Sequence, residues 1–556
     1  MSSSAHTTST ATQVAVAQAV IDALLRCGIT TGFGIPSIHN IALYDAMRQE
    51  PRFRHCVVRH EQAAVFAADG CYRSSGRIAA VFASTGPGNL FTVAPLLESF
   101  QTSTPLVVLG TNVASQMLGK TCGALHETPH QIEILKPLTR FAARITSPEA
   151  VTETIAAAAQ AGGPAFVEIP NDVLLAPGLA PDGSGESQRL DSSPSPKELV
   201  EAVSQISQSQ RPVLVLGSDV ITGNASAALQ ALAEALQSPV LTTTSGKGAI
   251  SDDHPLAAGC ISRLGLAQEL LLQSDLLISV GARFTEFDTG RFSLKVPSKH
   301  IQIEQDLSHV GLQFPVTGRL VGDIGAIARS LAEQIIPRQS PWDVAGKRAE
   351  ENARLNALNS EAFAALMVLR AALDRDDVVV NDQSILNYWA SAFFPVLAPR
   401  TFLYPTGSGT LGYALPAAVG AAYAAAQGNM PRRIICIAGD GGFQYTAHEL
   451  ATLSQYNLPV KILLVNDNAY GIIGFLQRTM FGQTHEVKLK NPDFCALAAA
   501  HGIPAQPVSE LEDLRRQLPG WLQTPGPALL EWRTALKAPW EVGAIIRPAN
   551  LPTKAS

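Results

Sequence analysis

Short apolar runs recur along the chain, each followed by polar or glycine-rich residues and then by a longer Ala/Leu-rich stretch. The clearest are IAAVFAST (78–85), TPLVVLG (104–110), RPVLVLG (211–217), DLLISVG (275–281), RRIICIAGD (432–440) and KILLVND (461–467). Runs that are apolar throughout, rather than alternating, belong to strands buried on both faces, and the helical stretches between them supply the cover. The pattern predicts an α/β protein built from doubly wound parallel sheets. Two polar, Pro/Gly/Ser-rich stretches, 176–196 and 336–348, interrupt it and leave three blocks, 12–176, 197–336 and 356–540. Ligands of such sheets sit beyond the carboxyl ends of the strands, which directs attention to STGPG (84–88), NDQS (381–384), GSGTLG (407–412) and GDGG (439–442).

Composition narrows the class. With 556 residues, 46% apolar and 16% charged, the chain can bury several cores, and disorder is excluded. A formal charge of −6 and the lack of any Lys/Arg stripe argue against a nucleic-acid partner. The longest apolar stretch, 413–426, is short for a bilayer, mostly Ala, and contains Pro416, so it reads as a buried helix and not as a membrane span. Seven dispersed cysteines without a CxxC indicate neither a disulfide framework nor a zinc site and fit a reducing cytoplasm. The N-terminal MSSSAHTTSTATQ lacks the basic and apolar regions of a secretory signal and reads as a disordered tail.

GSGTLG matches the GxGxxG pattern of dinucleotide folds and precedes an Ala-rich helix, which opens a reading as a flavin- or nicotinamide-linked oxidoreductase. A ribose-binding acid is wanted about 20 residues on. The nearest is Asp440, inside a second Gly-rich turn. There a buried strand runs into a turn that presents a carboxylate beside exposed backbone N–H groups. A carboxylate repels phosphate unless a cation lies between them, so the combination points to Mg²⁺ bridging Asp440 and a diphosphate. GDG is also an ordinary turn signal, and from this segment alone that reading stays open. Asp467 follows Asp440 by 467 − 440 = 27 residues, at the end of the next apolar run. One βαβ passage takes about 30 residues, so both carboxylates can reach one metal.

GDG, the Asn/Asp-rich strand end NDNAYG (466–471), GIPSIHN (34–40), RHEQAAVFAADGCYRSSGR (59–77), STGPG, GPAFVEIPNDV, TTSGKGAISDDHPLAAG, SVGARF, GTLGYALPAAVGAA and NPDFCALAAAHG together resemble the thiamine-diphosphate enzymes. In order and spacing they are similar to acetolactate synthase catalytic chains and their 2-oxo-acid decarboxylase relatives. The resemblance implies an N-terminal pyrimidine-binding domain, a central domain and a C-terminal diphosphate-binding domain. It also implies a homodimer or homotetramer whose active sites lie between subunits, with thiamine diphosphate and Mg²⁺ as cofactors.

The same resemblance assigns roles. Glu61 bonds the aminopyrimidine and activates the cofactor. Asp440 and Asp467 are side-chain Mg²⁺ ligands, with the carbonyl of Ala469 as a third. Gly439, Gly441, Gly442 and Phe443 line the diphosphate, and Gln383, Ser384 and Ser408 are further phosphate contacts. Leu411 props the cofactor into its bent shape, while Pro36, Pro87, Gly409, Tyr470 and Gly471 complete its surroundings. The reaction implied is loss of CO₂ from a 2-oxo acid through an enamine, followed by protonation or by attack on a second carbonyl.

The chain departs from the synthase pattern at LHETP (125–129), at Asn171 and at Gln383-Ser384-Ile385-Leu386. GIPSIHN and LHETPHQ are closer to the 5-guanidino-2-oxopentanoate decarboxylase branch, which makes His39 and His126 candidate proton donors. Acetolactate synthases also carry FAD in the middle block. GARF (281–284) is kept here, but the usual Gly-rich start is Leu216-Gly217-Ser218-Asp219, so the balance is against FAD.

Overall fold

The computed structural model describes residues 13–179, 193–263, 265–428 and 432–545. The N-terminal tail and most of the stretch 176–196 lie outside the described residues. Two compact units divide the chain, Met1–Tyr72 with Gly76–Arg189, and Arg73–Ser75 with Leu190–Ser556.

The first unit contains strands β1 Gln13–Ala15, β2 Thr31–Gly34, β3 Arg54–Val57, β4 Ala80–Ala83, β5 Leu106–Asn112, β6 Phe141–Arg144, β7 Pro164–Pro170 and β8 Pro177–Leu179. Six of them form a parallel sheet in the order β3-β2-β4-β5-β7-β6. The inner strands β5 and β7 are buried along their whole length, while the edge strands β3 and β6 are partly exposed, as a sheet covered on both faces requires. β1 and β8 pair antiparallel, so the start of the stretch 176–196 is a strand.

The second unit contains β9 Pro212–Leu216, β10 Val240–Thr242, β11 Ala257–Cys260, β12 Leu276–Val280, β13 His300–Glu304 and β14 Gly318–Val321. It continues with β15 Val378–Asn381, β16 Phe402–Leu403, β17 Ile434–Gly439, β18 Val460–Asn466, β19 Ala505–Val508 and β20 Ala528–Arg533. They make two six-stranded parallel sheets, β11-β10-β9-β12-β13-β14 and β16-β15-β17-β18-β20-β19. One continuous core joins them, in which Ile261 and Leu277 share a cluster with Trp389, Phe393 and Leu463.

The stretch 336–348 docks onto this unit. Trp342 is buried, its indole N–H donates to the Pro212 carbonyl (3.2 Å), and the Arg211 guanidinium lies 4.2 Å above its ring. The helix Val344–Ala357 starts inside the same stretch. The apolar run 413–426 forms the buried helix Ala414–Gln427, with Pro416 in its first turn, where its missing N–H has no intrahelical partner to lose. No helix among the described residues is long and apolar enough to cross a membrane. None of the seven cysteines is in a disulfide among the described residues.

Candidate functional site

In the third sheet the strand order reverses between β15 and β17, and the crevice outside the carboxyl ends at such a reversal is where open α/β sheets take ligands. Asn381 pairs with Ile437 across these strands, and Gly439 pairs with Val465 across β17 and β18. The 27-residue spacing therefore places Asp440 and Asp467 just past neighbouring strand ends.

GDGG is not a free turn. Gly439 caps the short helix Asp440–Gln444, so the amides of 441–443 stand at the start of a helical turn beside the Asp440 carboxylate. Asp440 is buried (3% exposed), and Asn491 Nδ2 donates to its Oδ2 at 2.6 Å and to Asn466 Oδ1 at 3.1 Å. Asp467 is half-buried, and its Oδ1 accepts the Ala469 N–H at 3.1 Å. Burial raises the Asp440 carboxyl above the usual carboxylate range. Burial, and then the charge of Asp440, push Asp467 up to about 6. Two facing carboxylates that resist ionisation are a site in want of positive charge.

The glycines here let neighbouring side chains of the chain pack close against the strand ends. A Cβ on Gly439 would lie 2.8 Å from Ser384 Cβ, one on Gly441 2.7 Å from the Tyr470 ring, and one on Gly442 2.8 Å from Asp382 Oδ1. The outcome is a cavity of about 190 Å³ lined by Gln383, Ser384, Gly409, Leu411, Gly439, Asp440, Gly441, Gly442, Asp467, Ala469, Tyr470 and Gly471.

Two of the predicted residues fall outside the lining. Ser408 is half-buried on the loop, and Phe443 turns into the core, where its ring meets Phe494 at 5.7 Å. Two others carry local structural duties as well. Ser384 caps the helix Ile385–Phe393, accepting from the Asn387 N–H, and Gln383 donates to the Pro405 carbonyl (3.1 Å) while accepting from the Tyr404 hydroxyl (3.0 Å).

The residue that organises this end of the sheet is Asp382, which lies in NDQS but was assigned no role there. It is 1% exposed, and its Oδ1 accepts the N–H groups of Gln383 (2.8 Å) and Gly412 (3.1 Å) while Oδ2 accepts that of Ala414 (3.1 Å). One carboxylate thus ties the end of β15 to the loop 407–412 and the start of the following helix. Its sequence signal was only an acid directly after an apolar run. Asn491, some 50 residues from its partner Asp440, opens the NPDFCALAAAHG stretch, which gave no sign of this partner.

The first unit gathers the remaining candidates at the β2/β4 reversal of its own sheet. Glu61 opens the helix Glu61–Ser75, half-buried, and a Cβ on Gly88 would lie 3.1 Å from its Oε1. Pro87 is the first residue of the short helix Pro87–Leu90, and Pro36 is exposed after β2. The rings of His39 and His126 lie 5.1 Å apart. Burial, then the charge of His126, lower His39, partly opposed by its bond to the Leu125 carbonyl. Its Nδ1 is buried without a hydrogen-bond partner among the described residues.

The loop bearing His126 is pinned by Gln131, which closes LHETPHQ but was assigned no role there. Gln131 is 1% exposed, accepts the Gly86 N–H (2.9 Å) and donates to the Thr111 carbonyl (3.0 Å) and Glu168 (2.8 Å).

Three family models match in succession: the N-terminal TPP binding domain of thiamine pyrophosphate enzymes over residues 14–134, their central domain over 199–331, and their C-terminal TPP binding domain over 382–532. The chain belongs to the thiamine pyrophosphate enzymes. It is 35% identical over 538 residues to a Pseudomonas aeruginosa protein named "Probable 2-ketoarginine decarboxylase AruI", which covers 93% of this chain and 94% of that one. To a "Probable acetolactate synthase large subunit" of Methanocaldococcus jannaschii it is 30% identical over 554 residues, 93% and 91% of the two chains. Its fold is shared by the Rhodococcus jostii RHA1 thiamine diphosphate-dependent 4-hydroxybenzoylformate decarboxylase, with TM-score 0.81, 24% identity, and coverage of 94% and 100%.

As a thiamine pyrophosphate (thiamine diphosphate) enzyme, the chain has residues that fit the cofactor. The cavity at Asp440 offers backbone amides, side-chain-free glycines and paired carboxylates, the donor set for a metal-bridged diphosphate. The middle block does not fit FAD in the same way. At Leu216–Asp219 a Cβ on Gly217 would meet the Gly281 carbonyl at 1.9 Å, and the ends of β9 and β13 present the buried carboxylates of Asp219 and Glu304 where a dinucleotide phosphate would need donors.

Proposed function

We propose that this chain is a Mg²⁺-dependent thiamine-diphosphate decarboxylase that releases CO₂ from one 2-oxo acid and protonates the product to an aldehyde. The observation that carries the reading is the pair Asp440 and Asp467, held at adjacent strand ends beside a glycine-lined cavity. Those two side chains and the Ala469 carbonyl would hold Mg²⁺, the amides of 441–443 would hold the diphosphate, and Leu411 would support the thiazolium. When bound, the cofactor supplies the electron sink for the carboxylate's departure.

Glu61 would bond the aminopyrimidine and manage its proton. Burial lowers the His39 imidazole below its ordinary value, so it gives up a proton readily, and with His126 beside it the pair would deliver the proton that ends the reaction. The 35% identity to a chain named for a 2-ketoarginine decarboxylase favours simple decarboxylation, with 5-guanidino-2-oxopentanoate as the first substrate to try. Leu90, Phe91 and Leu97, apolar yet exposed beside the Glu61 region, favour a homodimer or homotetramer in which the Glu61 region of one copy completes the cavity of another.

The test is CO₂ release across a panel of 2-oxo acids with saturating thiamine diphosphate and Mg²⁺, with products identified with and without an acceptor aldehyde. Aldehyde as the sole product supports the proposal. An acetohydroxy acid as the main product replaces it with carboligation. No CO₂ from any member of the panel refutes both.

A further inference from the structure

The central sheet differs from the other two in strand order, and its reversal lies between β9 and β12. The crevice there is the third place where this fold takes a ligand. It is occupied by side chains of the chain itself: Asp219 after β9, Arg283 after β12, Glu304 ending β13 and His309 on the following turn. One ligand atom from each of Asp219, Glu304 and His309 lies within 4.8 Å of the others. All three residues are buried, at 8%, 0% and 8% exposure.

Glu304 is held by the Gln302 side chain and by the backbone of Ala282. Gln302 Nε2 donates to its Oε1 (3.0 Å) and to the His309 carbonyl (3.2 Å), and Gln302 Oε1 accepts the Gly311 N–H (2.8 Å), which fixes the turn that carries His309. Glu304 Oε2 has no hydrogen-bond partner among the described residues. A carboxylate oxygen with no exposure and no donor is costly unless a cation meets it. Arg283, with Nη2 3.6 Å from Asp219 Oδ2, is one cation set against two carboxylates, and burial and then the charge of Asp219 still push Glu304 up to about 8. Asp306 Oδ2 lies 3.7 Å from His309 Nε2, the kind of outer carboxylate that orients a ligating imidazole. The glycine of GARF gives the cluster its room: at Gly281 (φ +55°) a Cβ would lie 2.5 Å from Asp219 Cβ.

We infer that this crevice binds one divalent cation of the Zn²⁺ class through Asp219, Glu304 and His309, at a site distinct from that of Asp440 and Asp467. Two carboxylate oxygens and one imidazole nitrogen suit Zn²⁺ or Mn²⁺ better than Ca²⁺, which takes oxygen only. Three protein ligands leave a fourth position for water or an anion. The ion would tie the end of β9 to that of β13.

The experiment uses the full-length enzyme, stripped with chelator and resupplied with saturating Mg²⁺ and thiamine diphosphate, then titrated with ZnCl₂ by calorimetry. One Zn²⁺ per chain is expected. Glu304→Gln, Asp219→Asn and His309→Gln should each weaken it by about 100-fold or more, since even outer-shell losses cost about 10- to 100-fold. Glu304→Gln should keep wild-type circular dichroism and cofactor-dependent activity. Zinc-edge absorption of the wild type, which requires no variant, should show an oxygen/nitrogen shell with one imidazole.

The inference is overturned if Zn²⁺ binds equally to Glu304→Gln, if Asp440→Asn is the variant that removes it, if the shell holds oxygen alone, or if no Zn²⁺ binds. A failure to release CO₂ would leave each of these readings untouched.

Discussion

Asp382→Asn isolates the carboxylate that aligns the loop 407–412 with the end of β15. In the native protein one side chain receives three N–H donors, two on Oδ1 and one on Oδ2. An asparagine offers one acceptor oxygen. Placed at Oδ1 it keeps the bonds from Gln383 and Gly412, but its NH₂ then confronts the Ala414 N–H. That leaves a buried donor unpaired, at about 1–3 kcal/mol, and turns two charge-assisted bonds into neutral ones, at about another 0.5–1 kcal/mol each.

Against this, burial raises the Asp382 carboxyl, so its ionised form carries a desolvation cost that asparagine does not. The net expectation is a loss of about 2–3 kcal/mol. It should be felt where the loop meets the cavity, as a rise of about 10- to 100-fold in the apparent Kd for thiamine diphosphate and a lower unfolding midpoint without cofactor. Cofactor titration by tryptophan quenching and scanning calorimetry measure the two. Wild-type affinity and midpoint in Asp382→Asn would refute the clamp. A lower midpoint with unchanged affinity would make Asp382 a fold residue with no bearing on the site.

Glu61→Gln should abolish turnover while leaving cofactor binding largely intact; in randomly mixed dimers with Asp440→Asn chains, about a quarter of sites should recover if each site draws on two copies, and none if one chain supplies both. Asp467→Asn keeps an oxygen ligand, so its activity should return at high Mg²⁺, whereas Asp440→Ala should stay inactive; equal Mg²⁺ curves for the two would contradict the ligand assignment. His300 is buried and held down to about 4, with Ser279 Oγ 2.7 Å from its Nε2. A base lowered by folding favours the native state above its unfolded value of about 6.5, and the advantage is lost as pH falls toward 4. His300→Gln should therefore lose about 2 kcal/mol less than wild type between pH 7 and 5 in urea melts, and parallel curves would count against it.

What the sequence disclosed is what acts locally. Continuous apolar runs became buried strands, and a spacing of one βαβ passage put Asp440 and Asp467 on neighbouring strand ends. What it hid acts across distance. Asp382 receives bonds from backbone about 30 residues away, Gln131 from about 45 and Asn491 reaches about 50, and no window of sequence carries such a signal. Side-chain direction was hidden for the same reason. Phe443 stands in a glycine motif but packs against Phe494, a choice made by a helix from elsewhere in the chain. Ser384 carried a readable clue, since Ser before an apolar helical run is a common N-cap. The stretch 336–348 reads as a divider by composition, yet Trp342 within it is a docking residue.

Strand order says why chemistry gathers where it does. Counted within each sheet, the first and third follow the same order, 2-1-3-4-6-5, each with its reversal beside its first strand. At that reversal the third sheet carries Asp440 and the glycine cavity, and the first carries His39 and the loop 84–88, with Glu61 against Gly88. On the proposed function, two copies of one topology would carry complementary equipment: carboxylates and backbone amides for a metal and a diphosphate in one, a glutamate and imidazoles for proton movement in the other. The central sheet follows 3-2-1-4-5-6, and its reversal holds Asp219, Arg283, Glu304 and His309. A reversal of strand order in each sheet thus fixes three addresses, and the residues at each strand end decide what is received there. On that logic a cation in the central crevice and a cofactor in the outer two are separate occupants, and removing either should leave the other's affinity unchanged.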